Sequence, residues 1–272
     1  MKYIHTFCLL LVFQFALAQH HTIEKLWETD TIVAIPESVL PHNGLLYISL
    51  IDGSPWEADG RGGVGVIDPQ GKKYNGLWVM GLHAPKGMAV HEQKLYLADL
   101  SDIVVVDIEK GKVIKKIPVP GASGLNDVTA SDHGIIYVSD SRTGKVWKLK
   151  DGIPEMFMDS LKGVNGLKAV GHDLIIAAGK SFISVDQHSK QIRKIAELPN
   201  GGDGIEPVGN GDFLVTSWSG FIYYVSADGK VETLLDTSKE KINTADIGYD
   251  AEKRIMYVPT FNAKTVVAYK VH

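Results

Sequence analysis

The chain has 272 residues and a formal net charge of −4, and 44% of its residues are hydrophobic while 22% are charged. This length is ample for a buried core, and the composition excludes a disordered chain and a multi-span membrane protein. The mild acidity offers no basic face for a nucleic acid, and the single cysteine excludes a disulfide framework and cysteine-ligated zinc. The 28 glycines and 11 prolines favour many short strands and turns over long helices.

The first segment of the chain is predicted to be an export signal. Lys2 precedes an apolar run from Phe7 to Leu17, and Ala16-Leu17-Ala18 is a small-x-small cleavage site. The run is too short to span a membrane and no stop-transfer charge follows it, although a buried first helix is an alternative. Residues 1–18 are therefore predicted to be a cleaved signal peptide. Residues 19–272 would form one mature domain without cysteine, in the periplasm or outside a bacterial cell.

A repeated phrase organises the rest of the chain. Each copy has a polar lead residue, a small or polar residue, an apolar residue, a turn and then an apolar run, usually with an aromatic. Asn126-Asp127-Val128, followed by Ile136-Tyr137-Val138, is one copy, and successive leads are 38 to 49 residues apart. The residues at the lead position of the six copies are Glu37, Lys86, Asn126, Asn165, Asp203 and Ala245.

This period predicts an all-β fold, a six-bladed β-propeller, because about four short strands per 40 to 45 residues are typical of propeller blades. The C-terminal segment supplies only three strands, predicted at Ala245–Tyr249, Arg254–Thr260 and Thr265–Val271. The outer strand of the last blade is predicted to come from the N-terminus, Ile23–Thr31, which would leave the ring without an open edge. A β-sandwich is the alternative, but it gives no reason for the lead phrase to recur.

In a propeller the lead residues converge, because the innermost strand of each blade begins at one mouth of the central channel. Two carboxylates, Glu37 and Asp203, and two carboxamides, Asn126 and Asn165, would then present only oxygen. Hard cations prefer such ligands, so the sequence predicts Ca²⁺ or another divalent cation. Taken singly, each is an ordinary turn residue. The histidines that follow four of the leads fall in turns facing away from this mouth, so neither a histidine–zinc centre nor a histidine base is predicted.

The loops between second and third strands are predicted to shape a pocket over this mouth. Their aromatic and cationic residues suit a polar or anionic organic substrate, with ordinary loop decoration as the alternative for each. Lys86 is predicted either to bind a substrate carboxylate or to pair with Glu37 across the channel. The remaining predicted substrate contacts are Trp56, Arg61, Arg142 and Trp218.

The six-copy phrase, with its four oxygen-bearing leads, resembles the gluconolactonase/regucalcin (senescence marker protein) family of calcium-dependent lactonases over essentially the whole mature chain. Pro-Glu-Ser-Val, Leu-Asn-Asp, Asn-Gly-Leu and a terminal Tyr-Val-Pro-Thr-Phe carry the likeness to its secreted bacterial members. The resemblance implies that Glu37, Asn165 and Asp203 hold the metal and that Asn126 is a further ligand or a substrate contact. Two departures weaken the implied sugar specificity: Ser-Val rather than Gly-Pro follows Glu37, and Gly124 stands where the family has a substrate-binding arginine.

The predicted function is a Ca²⁺-dependent hydrolase that opens a sugar lactone or related ester in the channel. Ca²⁺ would polarise the carbonyl and stabilise the oxyanion, but it acidifies water poorly, so a carboxylate base is needed. Asp203 is the family-based candidate, and Asp127 and Asp246 are second choices, for which strand alternation favours blade-to-blade hydrogen bonds instead. The alternative is a non-catalytic propeller that holds a structural calcium and binds a peptide or carbohydrate. We expect a monomer acting on a small molecule, with no nucleic-acid partner and no membrane span.

Overall fold

A computed structural model describes residues 20–272, so the predicted signal peptide lies outside the described residues. The described chain forms six four-stranded antiparallel sheets arranged as blades, and its one helical element is a single 3-10 turn, Phe261–Ala263. The predicted six-bladed β-propeller is thereby confirmed. No helix within residues 20–272 is long and apolar enough to cross a membrane.

In five blades the strands follow one another from the channel outwards. Blade 1 contains β2 (Pro36–His42), β3 (Leu45–Leu50), β4 (Gly62–Ile67) and β5 (Asn75–Leu82). Blade 2 contains β6 (Pro85–His91), β7 (Lys94–Asp99), β8 (Asp102–Asp107) and β9 (Lys112–Pro118). Blade 3 contains β10 (Leu125–Ala130), β11 (Ile136–Asp140), β12 (Lys145–Lys150) and β13 (Ile153–Met158). Blade 4 contains β14 (Val164–Val170), β15 (Asp173–Ala178), β16 (Ser181–Asp186) and β17 (Ile192–Glu197). Blade 5 contains β18 (Ile205–Gly209), β19 (Asp212–Ser217), β20 (Phe221–Val225) and β21 (Val231–Asp236).

Blade 6 is built from both ends of the described chain, as predicted. Its inner strands are β22 (Gly248–Asp250), β23 (Ile255–Pro259) and β24 (Val266–Val271), and its outer strand is β1 (Ile23–Glu28), paired with β24. Strand β22 is shorter than the predicted strand Ala245–Tyr249 and begins three residues later. Asp246 pairs instead with blade 1, because its N–H donates to the Glu37 carbonyl at 2.9 Å.

The hydrophobic core lies between the blades, in six clusters that each join two neighbours. Strand β8 shows how one strand serves two clusters. Ile103 and Val105 face blade 3, whereas Val104 and Val106 face blade 1. Side chains alternate across a strand, so a blade covered on both faces needs an uninterrupted apolar run.

A β-bulge interrupts the innermost strand of blades 1 to 4, and it coincides with the lead phrase. In β10, for example, the register with β11 shifts between Leu125 and Val128. The two residues inside each bulge are the lead and its follower. A bulge breaks the ladder locally and turns a side chain away from its regular direction, which here frees the leads to face the channel. The four bulge pairs are Glu37-Ser38, Lys86-Gly87, Asn126-Asp127 and Asn165-Gly166.

Candidate functional site

The predicted oxygen ligands lie at one end of the channel and are largely closed to solvent. Glu37 is 6% exposed, Asn126 8% and Asp203 4%. Burial, and then the charge of Asp203, raise the pKa of Glu37 well above its usual range, which shows that these two carboxyls are neighbours. A hydrogen bond from the side chain of Asn165 acts on Asp203 in the opposite sense and lowers its pKa. The structure therefore brings leads of blades 1, 4 and 5 together.

Several oxygens at this end of the channel have no hydrogen-bond partner in the described part of the chain. Glu37 Oε2 and Asn165 Oδ1 are buried without one, and so is Oδ1 of Asn243, which lies just before the lead position of blade 6. Asn126 donates its Nδ2 to Ser141 Oγ at 3.0 Å, which leaves its Oδ1 available as a ligand. An unpartnered buried acceptor is destabilising by about 1–3 kcal/mol, so such atoms call for an explanation.

A hard divalent cation fits these residues, because its ligands would be carboxylate and carboxamide oxygens. No group of three or more His, Cys, Asp or Glu side chains in residues 20–272 is arranged to hold a metal. The candidate centre is not of that kind, because two of its four predicted ligands, Asn126 and Asn165, are carboxamides. Glu37, Asn126, Asn165 and Asp203 are the residues that would hold the ion.

The charges around the centre leave its acidic groups undercompensated. Burial, followed by the charge of Asp246, raises the pKa of Asp203 to about 8. Lys86 is the cationic residue whose charge acts on Glu37. It is only 2% exposed, and its Nζ donates to the carbonyls of Pro55 at 2.7 Å and Ala84 at 2.9 Å. It forms no ion pair with Glu37 within the described chain. The ammonium of Lys86 holds the loop after β3, and its charge also acts to lower the pKa of Glu37. Binding of a substrate carboxylate by Lys86 stays a prediction.

Hydroxyl groups on the second strand support three of the lead phrases, and sequence reasoning missed them. The N–H of Ser38 donates to Ser49 Oγ, that of Asp127 to Ser139 Oγ, and that of Gly204 to Thr216 Oγ1, each at 2.9 Å. Each bond satisfies a backbone donor that the strand ladder leaves unpaired. The signal was present in the sequence, as a serine or threonine near the end of the second apolar run.

The two second-choice bases join neighbouring blades, as strand alternation predicted. Asp127 Oδ2 accepts the backbone N–H of Leu167 in blade 4 at 2.6 Å. Asp246 Oδ2 accepts the hydroxyl of Ser38 in blade 1 at 2.6 Å. Both carboxylates therefore hold the inner strands together next to the candidate centre.

The predicted substrate contacts divide into three groups. The ring of Trp56 has Lys86 Nζ 4.3 Å and Arg142 Cζ 4.6 Å from its centroid, so cations from blades 2 and 3 cover it. Trp218 is 47% exposed and makes an edge contact with Phe261, with ring centroids 5.6 Å apart. Arg61 is exposed and pairs with Asp52 at 3.6 Å on its own loop, and no contact with a lead residue is seen for it in the described chain.

The lower part of the channel holds a cavity of about 200 Å³ that extends to the far ends of the inner strands. An ion pair between Lys168 Nζ and Glu206 Oε2, 2.8 Å long, lies in its wall and joins blades 4 and 5. Sequence reasoning missed both residues. Each stands three positions after a lead, where the innermost strand again faces the channel.

Fold and site together define a six-bladed β-propeller with a buried, oxygen-rich centre at one end of its channel. No known family model matches the chain, and no curated protein matches it in sequence. Solved structures do match. A catalytically inactive virginiamycin B lyase from Staphylococcus aureus, with quinupristin, is 12% identical with a TM-score of 0.65, covering 92% of this chain and 99% of its own. A streptogramin B lyase is 10% identical with a TM-score of 0.69, covering 93% and 98%. At such identities the similarity shows the fold, and the resemblance to the gluconolactonase/regucalcin family is not confirmed.

Proposed function

We propose that this protein is a metal-dependent hydrolase that opens a lactone or related ester at the buried end of its channel. The observation that carries the proposal is the pair of unpartnered oxygens, Glu37 Oε2 and Asn165 Oδ1, beside the carboxyl of Asp203. A divalent cation, with Ca²⁺ as the first candidate, would satisfy both atoms and offset the buried acidic charge.

The bound cation would supply polarisation of the ester carbonyl. The chain's own residues would do the rest. Asp203 would accept a proton from the attacking water as the new C–O bond forms and would return it to the alkoxide oxygen when the ester C–O bond breaks. Asn126, oriented by Ser141, would contact the substrate or the ion. A carboxylate is the base in this proposal, because the carboxyls of Glu37 and Asp203 are the acidic groups buried beside the centre.

The similar solved structures support an enzyme on this fold, since both are described as lyases. One of them is described as catalytically inactive, which implies that the enzyme it derives from is active. The rim of the channel also carries aromatic and cationic side chains, Trp56 and Arg142, within reach of a ligand at this end.

One observation favours a second function, a binding module with a structural ion. Glu37, Asn126 and Asp203 are all less than a tenth exposed, and the loop that carries Trp56 is held across the mouth by Lys86. A substrate would have to displace this loop, whereas a structural ion would not.

A lactone and ester panel, assayed with added Ca²⁺ and with chelator, tests the proposed function. We expect turnover that needs the cation and that falls by at least about 100-fold in Asp203→Asn. Asp228→Asn, which removes the same charge from an exposed turn, is the matched control and should behave as wild type. Turnover that persists in chelator or in Asp203→Asn would overturn the mechanism. If no lactone or ester is turned over but Ca²⁺ raises the unfolding temperature, the binding module is the better description.

A further inference from the structure

A hollow of about 250 Å³ lies between blades 3 and 4, on the same face as the lead residues. One wall is the turn between β11 and β12, and the other is the connection from β13 to β14. Both segments belong to that face. The turn between β11 and β12 is a loop between second and third strands, and the connection from β13 to β14 runs directly into the lead Asn165. The polar residues that line the hollow are Ser141, Arg142, Thr143, Ser160 and Lys162.

The hollow presents donors and positive charge, while the nearby carboxylate of Asp140 accepts backbone N–H groups of the turn. Neither Arg142 nor Lys162 forms an ion pair in residues 20–272, and no carboxylate lines the hollow. A guanidinium and an ammonium group on the two walls of one hollow match the acceptor oxygens of an oxyanion.

The arginine is held in place before any ligand arrives. Asp140 Oδ1 accepts the backbone N–H groups of Arg142 at 3.2 Å and Thr143 at 3.1 Å, which fixes the turn. The guanidinium lies against Trp56, and Gly124 leaves room for the side chain, since a Cβ there would be 2.6 Å from Arg142 Cγ. A donor that is already ordered loses little entropy when it binds.

The same turn reaches the candidate centre, because Ser141 Oγ accepts the side-chain N–H of Asn126. We propose that this hollow is an oxyanion subsite, which takes a carboxylate, phosphate or sulfate group through the side chains of Arg142 and Lys162. Its ligand is the anionic substituent of a substrate whose ester lies at the centre. This last step rests on the proposed function, whereas oxyanion binding itself does not.

The test is a titration of the full mature chain with inorganic phosphate, sulfate and acetate at constant ionic strength. Amide NMR shifts of Gly144 and Gly163, which line the hollow, report on it directly, and the indole N–H shift of Trp56 reports on the Arg142 guanidinium that lies against its ring. We expect saturable shifts confined to these positions, and Arg142→Gln/Lys162→Gln should weaken binding about tenfold or more. The acetate arm, compared with the phosphate and sulfate arms, identifies a carboxylate or a tetrahedral anion as the preferred group.

The matched control is Lys239→Gln/Lys264→Gln, which removes the same charge from exposed positions on corresponding loops of other blades on this face. It should bind the anions as the wild type does. Equal weakening in both double variants would show only a long-range charge effect and would overturn the subsite, as would unsaturable shifts in the wild type. Arg142→Lys keeps the charge and should bind the anions with intermediate affinity. This single variant tests the subsite even if the double variant does not fold. Asp203→Asn should retain anion binding, so failure of the hydrolase proposal and failure of this one are distinguishable.

Discussion

At the scale of single residues, the candidate centre is an acidic cluster that the fold buries with too little positive charge. Asp203 shows this most directly, because burial and the charge of Asp246 raise its pKa to about 8. The pKa of Glu37 is raised as well, and the ammonium of Lys86 already donates hydrogen bonds to two backbone carbonyls. A bound cation would supply the charge that the protein lacks here.

Replacing Asp203 by Asn should separate this role from folding. The variant keeps the shape of the side chain and removes a buried acid that is repelled by its neighbours. We therefore expect its unfolding temperature in chelator to equal or exceed that of the wild type. Added Ca²⁺ should raise the wild-type value clearly and the variant's much less, because a ligand that binds only the folded state stabilises it. Calorimetric scans of both proteins check this, and an equal rise in both would exclude Asp203 as a ligand.

A second prediction at this scale concerns the hydroxyl that supports the bulge of β10. Ser139→Ala leaves the buried N–H of Asp127 without its acceptor, and we expect a loss of about 1–3 kcal/mol of stability. Ser184→Ala is the control, because Ser184 is equally buried but its hydroxyl bonds to nothing in the described chain. Chemical denaturation of the two variants measures the difference, and similar midpoints would contradict the role given to Ser139.

At the scale of elements, the innermost strands do more than line the channel, since polar contacts join several of them to their neighbours. Asp127 links β10 to β14, and the Lys168–Glu206 ion pair links β14 to β18. Burial raises the pKa of Glu206, whereas the charge and hydrogen bond of Lys168 lower it. These side-chain contacts add to the few backbone bonds that join neighbouring blades, such as the one from the Asp246 N–H to the Glu37 carbonyl.

Lys168→Met tests the pair that joins blades 4 and 5. Glu206 would be left buried with no partner, and we expect the free energy of unfolding to fall by about 2 kcal/mol. This is less than for a fully buried pair, because Lys168 is partly exposed. In Lys168→Met/Glu206→Leu the unpaired charge is gone, so most of the stability should return. Denaturant midpoints of the single and double variants give the coupling. A double variant as unstable as the single one would show that packing, and not charge, is responsible.

At the scale of the whole molecule, the ring is closed by β1, which brings the start of the described chain to its end. Trp27 on this strand packs against Tyr257 and donates its Nε1 to the Pro69 carbonyl at 3.1 Å. The closure therefore involves blades 1 and 6 together. Without β1, strand β24 would be an unprotected edge.

A chain that begins at Thr29 should thus be less stable and should associate. We expect a lower unfolding temperature and concentration-dependent species in analytical ultracentrifugation, because the exposed edge can pair with another chain. A chain that begins at Thr22 lacks His20 and His21, with their contacts to Glu232, but keeps β1, so its sedimentation should match that of the mature chain. Identical behaviour of the two truncations would show that β1 does not close the ring.

The sequence by itself determined the six-blade repeat, the closure by an N-terminal strand and the register that places Glu37, Asn126, Asn165 and Asp203 on one end of the channel. These follow from strand alternation and turn spacing, which act over a few residues within each copy. The blade-to-blade role of Asp127 also followed from that alternation.

Only the tertiary structure decided how the channel residues are partnered. It ties Lys86 to Pro55, joins Lys168 to Glu206, leaves Arg142 stacked on Trp56 and keeps Arg61 apart from the leads. Each of these outcomes depends on contacts between separate loops or blades, or on their absence. A local pattern fixes which face a residue occupies, but the partner it meets there depends on how neighbouring blades and loops pack.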